Sequence, residues 1–225
     1  MAKPAKELAP QQARSRESLG RLLRAAQEVL GQKGLEGATI PVIAQHAGLT
    51  PGAVYRRFRD KDALLEAVIL RMLERQDEGI RAALTPDKAR KIPLTVFVEH
   101  LVRDMLASYR RQAGMIRAIR QFTQARLHTP FFRKAARLEV RTYQYLVDLF
   151  LEHREEIQHP EPKIAVSFAI MMLISTLVEL VVAEGDLKLW KTLLPPDDTA
   201  LRAELSRAFL TYLGVKPNSA GTQGS

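Results

Sequence analysis

Thr39-Ile40-Pro41-Val42-Ile43-Ala44-Gln45-His46-Ala47-Gly48-Leu49-Thr50-Pro51-Gly52-Ala53-Val54-Tyr55-Arg56-Arg57-Phe58 reads as two short helices joined by a tight turn. Thr39 can cap the first, whose apolar residues Ile40, Ile43, Ala44 and Ala47 recur at spacings of three and four. Gly48 supplies the backbone freedom of a sharp turn, and Leu49 fills the angle between the helices. Thr50 caps the second helix, with Pro51 at its first position, where a missing N–H costs nothing. Val54 and Phe58, four apart, face inward and leave Gly52, Ala53, Tyr55, Arg56 and Arg57 outward. Small residues followed by Tyr and two Arg suit contact with phosphates and base edges in a DNA major groove. A structural hairpin within a larger bundle is the competing reading. It calls for apolar residues where Arg56 and Arg57 stand and has no use for a Pro-Gly-Ala opening.

The pattern continues on both sides. Upstream lie Arg16-Glu17, Leu22-Leu23-Arg24-Ala25-Ala26, Leu30 and Gly34; downstream lie Lys61-Asp62 and Leu64-Leu65. Across residues 14–68 the chain resembles the N-terminal domain of the tetracycline-repressor (TetR) family. Beyond residue 70 no motif matches, only a compatible helical pattern.

The resemblance implies an all-α protein with an N-terminal three-helix DNA-binding domain and a C-terminal helical domain for ligand binding and dimerisation. It implies a two-fold dimer on a palindromic operator, with the second motif helix in the major groove. By the same resemblance Thr39, Thr50, Tyr55 and Lys61 grip phosphates, while Pro51, Gly52, Ala53, Tyr55 and Arg56 read bases. Hydroxyls and an ammonium are suited to that task, and Gly52 and Ala53 allow close approach. Relatives often carry an aromatic at 56 and His at 57, so whether Arg56 or Arg57 reads a base stays open; phosphate contact is the expectation for Arg57. Gln45 and His46 are backbone neighbours. Pro41 stands where relatives have a polar residue that can touch DNA.

Charge agrees with a polyanionic partner. The 225 residues carry 34 Lys and Arg against 25 Asp and Glu, a net +9. Residues 1–62 hold 11 cations against 6 anions, a denser positive balance than the rest of the chain. Cysteine is absent, which excludes disulfides and thiolate metal sites and fits a reducing cytoplasm. Residues 1–14 have no apolar run of a secretory signal and read as a flexible arm, with Lys3, Lys6 and Arg14 available to a minor groove.

Every periodic segment has helical spacing. Ser15 is the expected cap of the first helix, closed by Gly34; the domain spans 15–68. Asp60 caps a fourth helix from Lys61 to about Ala83, broken at Thr85-Pro86-Asp87. Helices follow over about 93–111, 115–127 and from Thr129-Pro130 to Gln158. An apolar helix over 163–184 ends at Gly185, and an irregular stretch with Trp190 leads to a last helix over 199–213, capped by Asp198. That makes nine main helices, with the second domain over 69–214 and a disordered tail over 215–225.

Residues 164–183 are long enough to span a membrane, with Glu179 the only charge. Burial between two packing surfaces explains the same composition. The favoured arrangement lays one face on its own domain and the other on the same helix of a second subunit, joined by the last helix. Phe168, Met171, Ile174, Leu177, Val178, Val181, Leu201, Leu205, Phe209 and Tyr212 are the interface candidates, and no membrane association is expected. Pocket candidates are Phe97, Leu101, Met105, Tyr109, Ile119, Phe122, Tyr143, Leu146, Phe168 and Met172. Arg103 to Arg141 hold 10 Lys and Arg against Asp104 and Glu139 alone. Arg117 or Arg120 turned inward would favour an apolar effector with an anionic head group.

No catalytic constellation is present: the five histidines lack metal-ligand spacing, and neither a phosphate-cradling glycine loop nor a nucleophile elbow occurs. No cofactor or metal is expected. The leading reading is a repressor released from its operator by a small-molecule effector. A ligand-dependent activator, a helical ligand-binding module without DNA binding, and a membrane-anchored sensor are the alternatives.

Overall fold

The protein is described by a computed structural model covering residues 8–182 and 192–215, with side chains from residue 13 onward. All regular structure among these residues is helical. The helices are α1 (Leu8–Gly37), α2 (Ile40–His46), α3 (Pro51–Tyr55), α4 (Lys61–Ala83) and α5 (Pro86–Ala89). They continue with α6 (Leu94–Arg111), α7 (Ala113–Gln124), α8 (Pro130–Leu151), a 3-10 turn at Arg154–Glu156, α9 (Pro162–Val182) and α10 (Asp198–Tyr212).

Contacts divide the chain into two units. The first comprises residues up to Glu74 together with Gly114–Ala135. It is a wider grouping than the expected domain of 15–68, because α7 and the start of α8 join it. Its core is the inward stripe of α1 (Leu22, Ala25, Ala26, Val29, Leu30) with Ile40, Ile43 and Ala44 of α2, Val54 of α3 and Leu64, Leu65, Val68 and Ile69 of α4. Met115, Ala118 and Phe122 of α7 and Phe131 of α8 complete it, Phe122 meeting Phe131 edge to face at 5.8 Å.

In the second unit, Arg75–Ala113 and residues from Ala136 onward, α6 packs against α9 and α10. Phe97 and Phe150 lie 4.8 Å apart, and Phe150 stacks on Phe209 at 5.3 Å, giving this core an aromatic centre. Asp77 of α4 is buried in the same unit, receiving bonds from Arg81 (3.0 Å), Arg141 (2.8 Å) and the Thr142 hydroxyl (3.0 Å).

Several boundaries differ from the expectations. Helix α1 begins by Leu8, so residues 8–14 are helical rather than an arm, and Ser15 lies within the helix instead of capping it. Asp197, not Asp198, caps the last helix, accepting from the Ala200 N–H at 2.8 Å. The break at Thr85-Pro86-Asp87 is itself a short helix, capped by the Thr85 hydroxyl. The long α8 ends at Leu151 rather than Gln158 and hands over to the 3-10 turn. Residues 1–7, Gly185, Trp190 and the tail 216–225 lie outside the described residues.

Candidate nucleic-acid interface

Local chemistry fixes the turn between α2 and α3. Ala47 ends α2, and Gly48 follows with φ 66°, a left-handed conformation that costs glycine nothing. Its N–H reaches the Gln45 carbonyl (3.1 Å), and the Leu49 N–H reaches that of Ala44 (2.8 Å). This paired capping satisfies the last carbonyls of α2 and directs the chain into Thr50. The Thr50 Oγ1 accepts the Ala53 N–H at 3.2 Å, which opens α3. That bond uses an acceptor lone pair and leaves the hydroxyl proton to donate.

Helix α3 is short, ending at Tyr55. Val54 is its anchor, fully buried, a burial contributing on the order of 1.5–3 kcal/mol. Around that anchor Thr50, Pro51, Gly52, Tyr55, Arg56 and Arg57 are exposed, and Ala53 is half-buried. Tyr55 retains 56% of its accessible surface. A Cβ at Gly52 would meet nothing within 4 Å, so this end of α3 is open to close approach.

The flanking candidates have additional work. Thr39 occupies the cap position of α2 but makes no side-chain capping bond, and its hydroxyl stands on the exposed surface with Gln45. The Arg57 guanidinium donates to the Ser15 carbonyl at 3.1 Å, tying the end of α3 to α1. The Lys61 ammonium donates to the Leu35 carbonyl at 2.6 Å and is half-buried, which commits one of its three donors. His46 pairs with Glu28 of α1 at 2.8 Å, a cross-helix tie that the sequence did not reveal. Asp60 caps α4 as expected, accepting the Ala63 N–H at 2.7 Å. Asp62, next in α4, pairs with Arg126, whose guanidinium also lies 3.8 Å above the Phe122 ring. Arg56 alone of the two arginines makes no hydrogen bond or ion pair among the described residues.

The pocket candidates divide between the two units. Phe122 is core of the first unit, and Ile119, Arg117 and Arg120 belong to that unit too. Phe97, Leu101 and Leu146 are core of the second unit, with Met105, Tyr109 and Tyr143 half-buried against it. Phe168 and Met172 face outward on α9. No inward arginine receives an anion: Arg103, Arg117, Arg120 and Arg141 all lie on the exposed surface, Arg103 paired with Asp104 and Arg141 with Asp77. The charge run is mainly a solvated face.

The interface candidates also separate. Leu177, Val181, Leu201 and Phe209 are core of their own unit and unavailable to a second copy. Ile174, Val178, Leu205 and Tyr212 are half-buried. Phe168 and Met171 project outward, joined by Ile164 and Met172, which makes one side of α9 an uncovered apolar strip. Tyr212 lies 5.6 Å from Phe168 and extends that strip onto α10. The helix is long and apolar enough to cross a membrane, but its other side is fixed in the core by Ala165, Val166, Ala169, Ile170 and Leu173.

Comparison with known proteins gives a consistent picture. Residues 22–68 match the family described as bacterial regulatory proteins, tetR family. The chain is similar to the transcriptional regulator UidR of Escherichia coli, 36% identical over 55 residues, 24% of this chain and 28% of that protein. It is similar to BetI of Pseudomonas fluorescens, 36% identical over 72 residues, 31% of this chain and 36% of that protein. TtgR of Pseudomonas putida is 31% identical over 91 residues, 38% of this chain and 43% of that protein. The similarity thus spans less than half the length of each. Among solved structures, a TetR transcription regulator from Haloarcula marismortui aligns with a TM-score of 0.62 at 16% identity, over 88% of this chain and 97% of that one. NalD, the secondary repressor of a multidrug efflux pump in Pseudomonas aeruginosa, aligns with a TM-score of 0.54 at 19% identity, over 92% and 99%. The fold is shared along nearly the whole chain, although the family match covers residues 22–68 alone.

Proposed function

We propose, from the premise that residues 22–68 belong to the tetR family of bacterial regulatory proteins, that this chain is a sequence-specific DNA-binding transcriptional regulator. The observation that carries the proposal is α3 itself. A buried Val54 holds a short helix whose outer surface offers Gly52, Ala53, Tyr55 and Arg56 to a groove. Thr39, Thr50 and the free donors of Lys61 flank it as phosphate contacts, with Arg57 beside them. Affinity will fall steeply with salt, as phosphate neutralisation requires.

Two copies are joined through the apolar strip of α9 with Tyr212, placing two α3 helices on a palindromic site. A small apolar effector binds the second unit better when the α3 helices are misplaced for successive grooves, and so shifts the population off the operator. The protein acts in the cytoplasm as a repressor, without enzymatic activity. Selection from random duplexes at moderate salt tests the reading: enrichment of a two-fold motif is expected, and no enrichment or a non-symmetric motif overturns it.

A further inference from the structure

Helix α1 begins at Leu8, whereas the match to the tetR family opens at Leu22, so the first turns of α1 lie outside the matched stretch. One long-range contact ties them to the helix-turn-helix. The Arg57 guanidinium, just past the end of α3, donates to the Ser15 carbonyl at 3.1 Å, and both residues lie in the first unit. A carbonyl oxygen has two lone pairs, so Ser15 can serve its own helix and the guanidinium together. Because Arg57 directly follows Arg56, the contact sets the start of α1 beside the outward residues of α3.

Cations gather at this junction without counter-charge. Arg14 and Arg16 flank Ser15, both are exposed, and neither makes a hydrogen bond or ion pair among the described residues; Arg56 is in the same state. Glu17 is the only carboxylate between residues 13 and 21, and it pairs with Arg21 at 3.3 Å. On the other side of the junction Asp60 is taken by Arg59 at 2.8 Å. The Arg57 bond thus draws a third guanidinium to the residue that two others flank. Like charges so gathered repel, and a polyanion laid across them relieves the repulsion. Duplex DNA, the partner proposed for the adjoining α3, presents such charges in close succession along its backbone.

We propose that the start of α1 is a second DNA-backbone contact beside α3. Arg14 and Arg16 grip phosphates flanking the groove that α3 enters, and Arg57 is the positioning residue that holds them there. The contact rests on the reading of α3 as the DNA-reading helix, but it is made by residues outside the family match. Phosphate contacts fix register and add affinity without choosing a sequence, so this one strengthens binding to any duplex.

The test uses the full chain and two duplexes: the one most enriched by selection from a random pool, and a scrambled sequence of the same length. Fluorescence anisotropy gives affinities from about 50 to 200 mM salt. Arg14→Gln and Arg16→Gln should each weaken both duplexes several-fold and lower the slope of log affinity against log salt by about 1. The ratio between the two duplexes should stay within about twofold. Arg57→Ala should weaken binding as well, but in the Arg14→Gln/Arg16→Gln background it should cost less than about twofold more. An independent phosphate contact by Arg57, or a role confined to folding, gives additive losses instead, and that result overturns the positioning role. Unchanged salt slopes in Arg14→Gln and Arg16→Gln overturn the α1 contact while leaving α3 as the reader. If Arg57→Ala does not fold, those two variants, altered only at exposed positions, still read out the contact. If no duplex is enriched, the DNA reading of α3 fails and the α1 contact fails with it.

Discussion

Gly31 of α1 and Gly114 of α7 meet backbone to backbone: a Cβ placed on Gly114 would lie 2.2 Å from the Gly31 carbonyl oxygen. No side-chain rotation relieves such a clash, because the backbone fixes where a Cβ lies and the oxygen belongs to main chain. The relation is one-sided. A Cβ on Gly31 would meet Met115, its side chain nearest at 3.7 Å, an ordinary contact.

Gly114→Ala should therefore lower stability by about 1–3 kcal/mol through forced separation of α1 and α7. Gly31→Ala should be neutral or stabilising by about 0.5–1 kcal/mol, since it removes a flexible residue from a helix interior. Thermal unfolding of the two variants beside the native chain checks the contrast. Equal melting temperatures would refute the close contact.

Tyr55→Ala and Arg56→Ala should each weaken operator binding by about 1–3 kcal/mol with the melting temperature unchanged, because neither side chain supports the core. Lys61→Ala should differ from both. It loses the bond to the Leu35 carbonyl as well as a phosphate contact, so affinity and stability fall together, the latter by about 1.5–3 kcal/mol. Parallel operator titrations and thermal melts separate the two behaviours.

Met171→Asp should give well-folded monomers, as the residue projects from the apolar strip of α9 and supports nothing inside its own unit. Leu177→Asp should instead prevent folding, because it buries an unpaired charge at a fully enclosed position. Sedimentation equilibrium with circular dichroism distinguishes these outcomes. A dimer in Met171→Asp would rule out the α9 interface.

Asp77 links stability to acid. Burial alone would push its carboxyl up, but the bonds from Arg81 and Thr142 and the charges of Arg81 and Arg141 outweigh that and hold it below the usual carboxylate value. A carboxyl depressed in the folded state contributes stability that is present above the unfolded value near pH 3.9 and is lost as pH falls through the lower folded value. Asp77→Asn should cost about 1.5–3 kcal/mol at neutral pH, since the arginines are partly hydrated, and should flatten the stability profile at pH values below about 4. Urea unfolding from pH 7 to 2 measures both effects.

The turn between α2 and α3 was legible because its signals are local. A glycine turn, a threonine cap and the four-residue spacing of Val54 and Phe58 specify α3 almost without regard to the rest of the chain. The side of α9 that turns inward was not legible. Apolar residues surround that helix, so periodicity cannot separate Leu177, which is core, from Met171, which is exposed. Phe122 carries a related ambiguity: a buried aromatic looks the same in sequence whether it lines a pocket or closes a core.

The brevity of α3 has an evolutionary consequence. Its five residues carry one interior anchor, Val54, while the neighbouring outward positions contribute almost nothing to folding. Gly52, Tyr55 and Arg56 can therefore be exchanged with little effect on whether the domain folds, provided Thr50 and Val54 stay. Under the proposed DNA-reading role of α3, a lineage carrying this scaffold can alter its target sequence one position at a time through variants that all remain folded, which is the condition for duplicated copies to acquire separate operators.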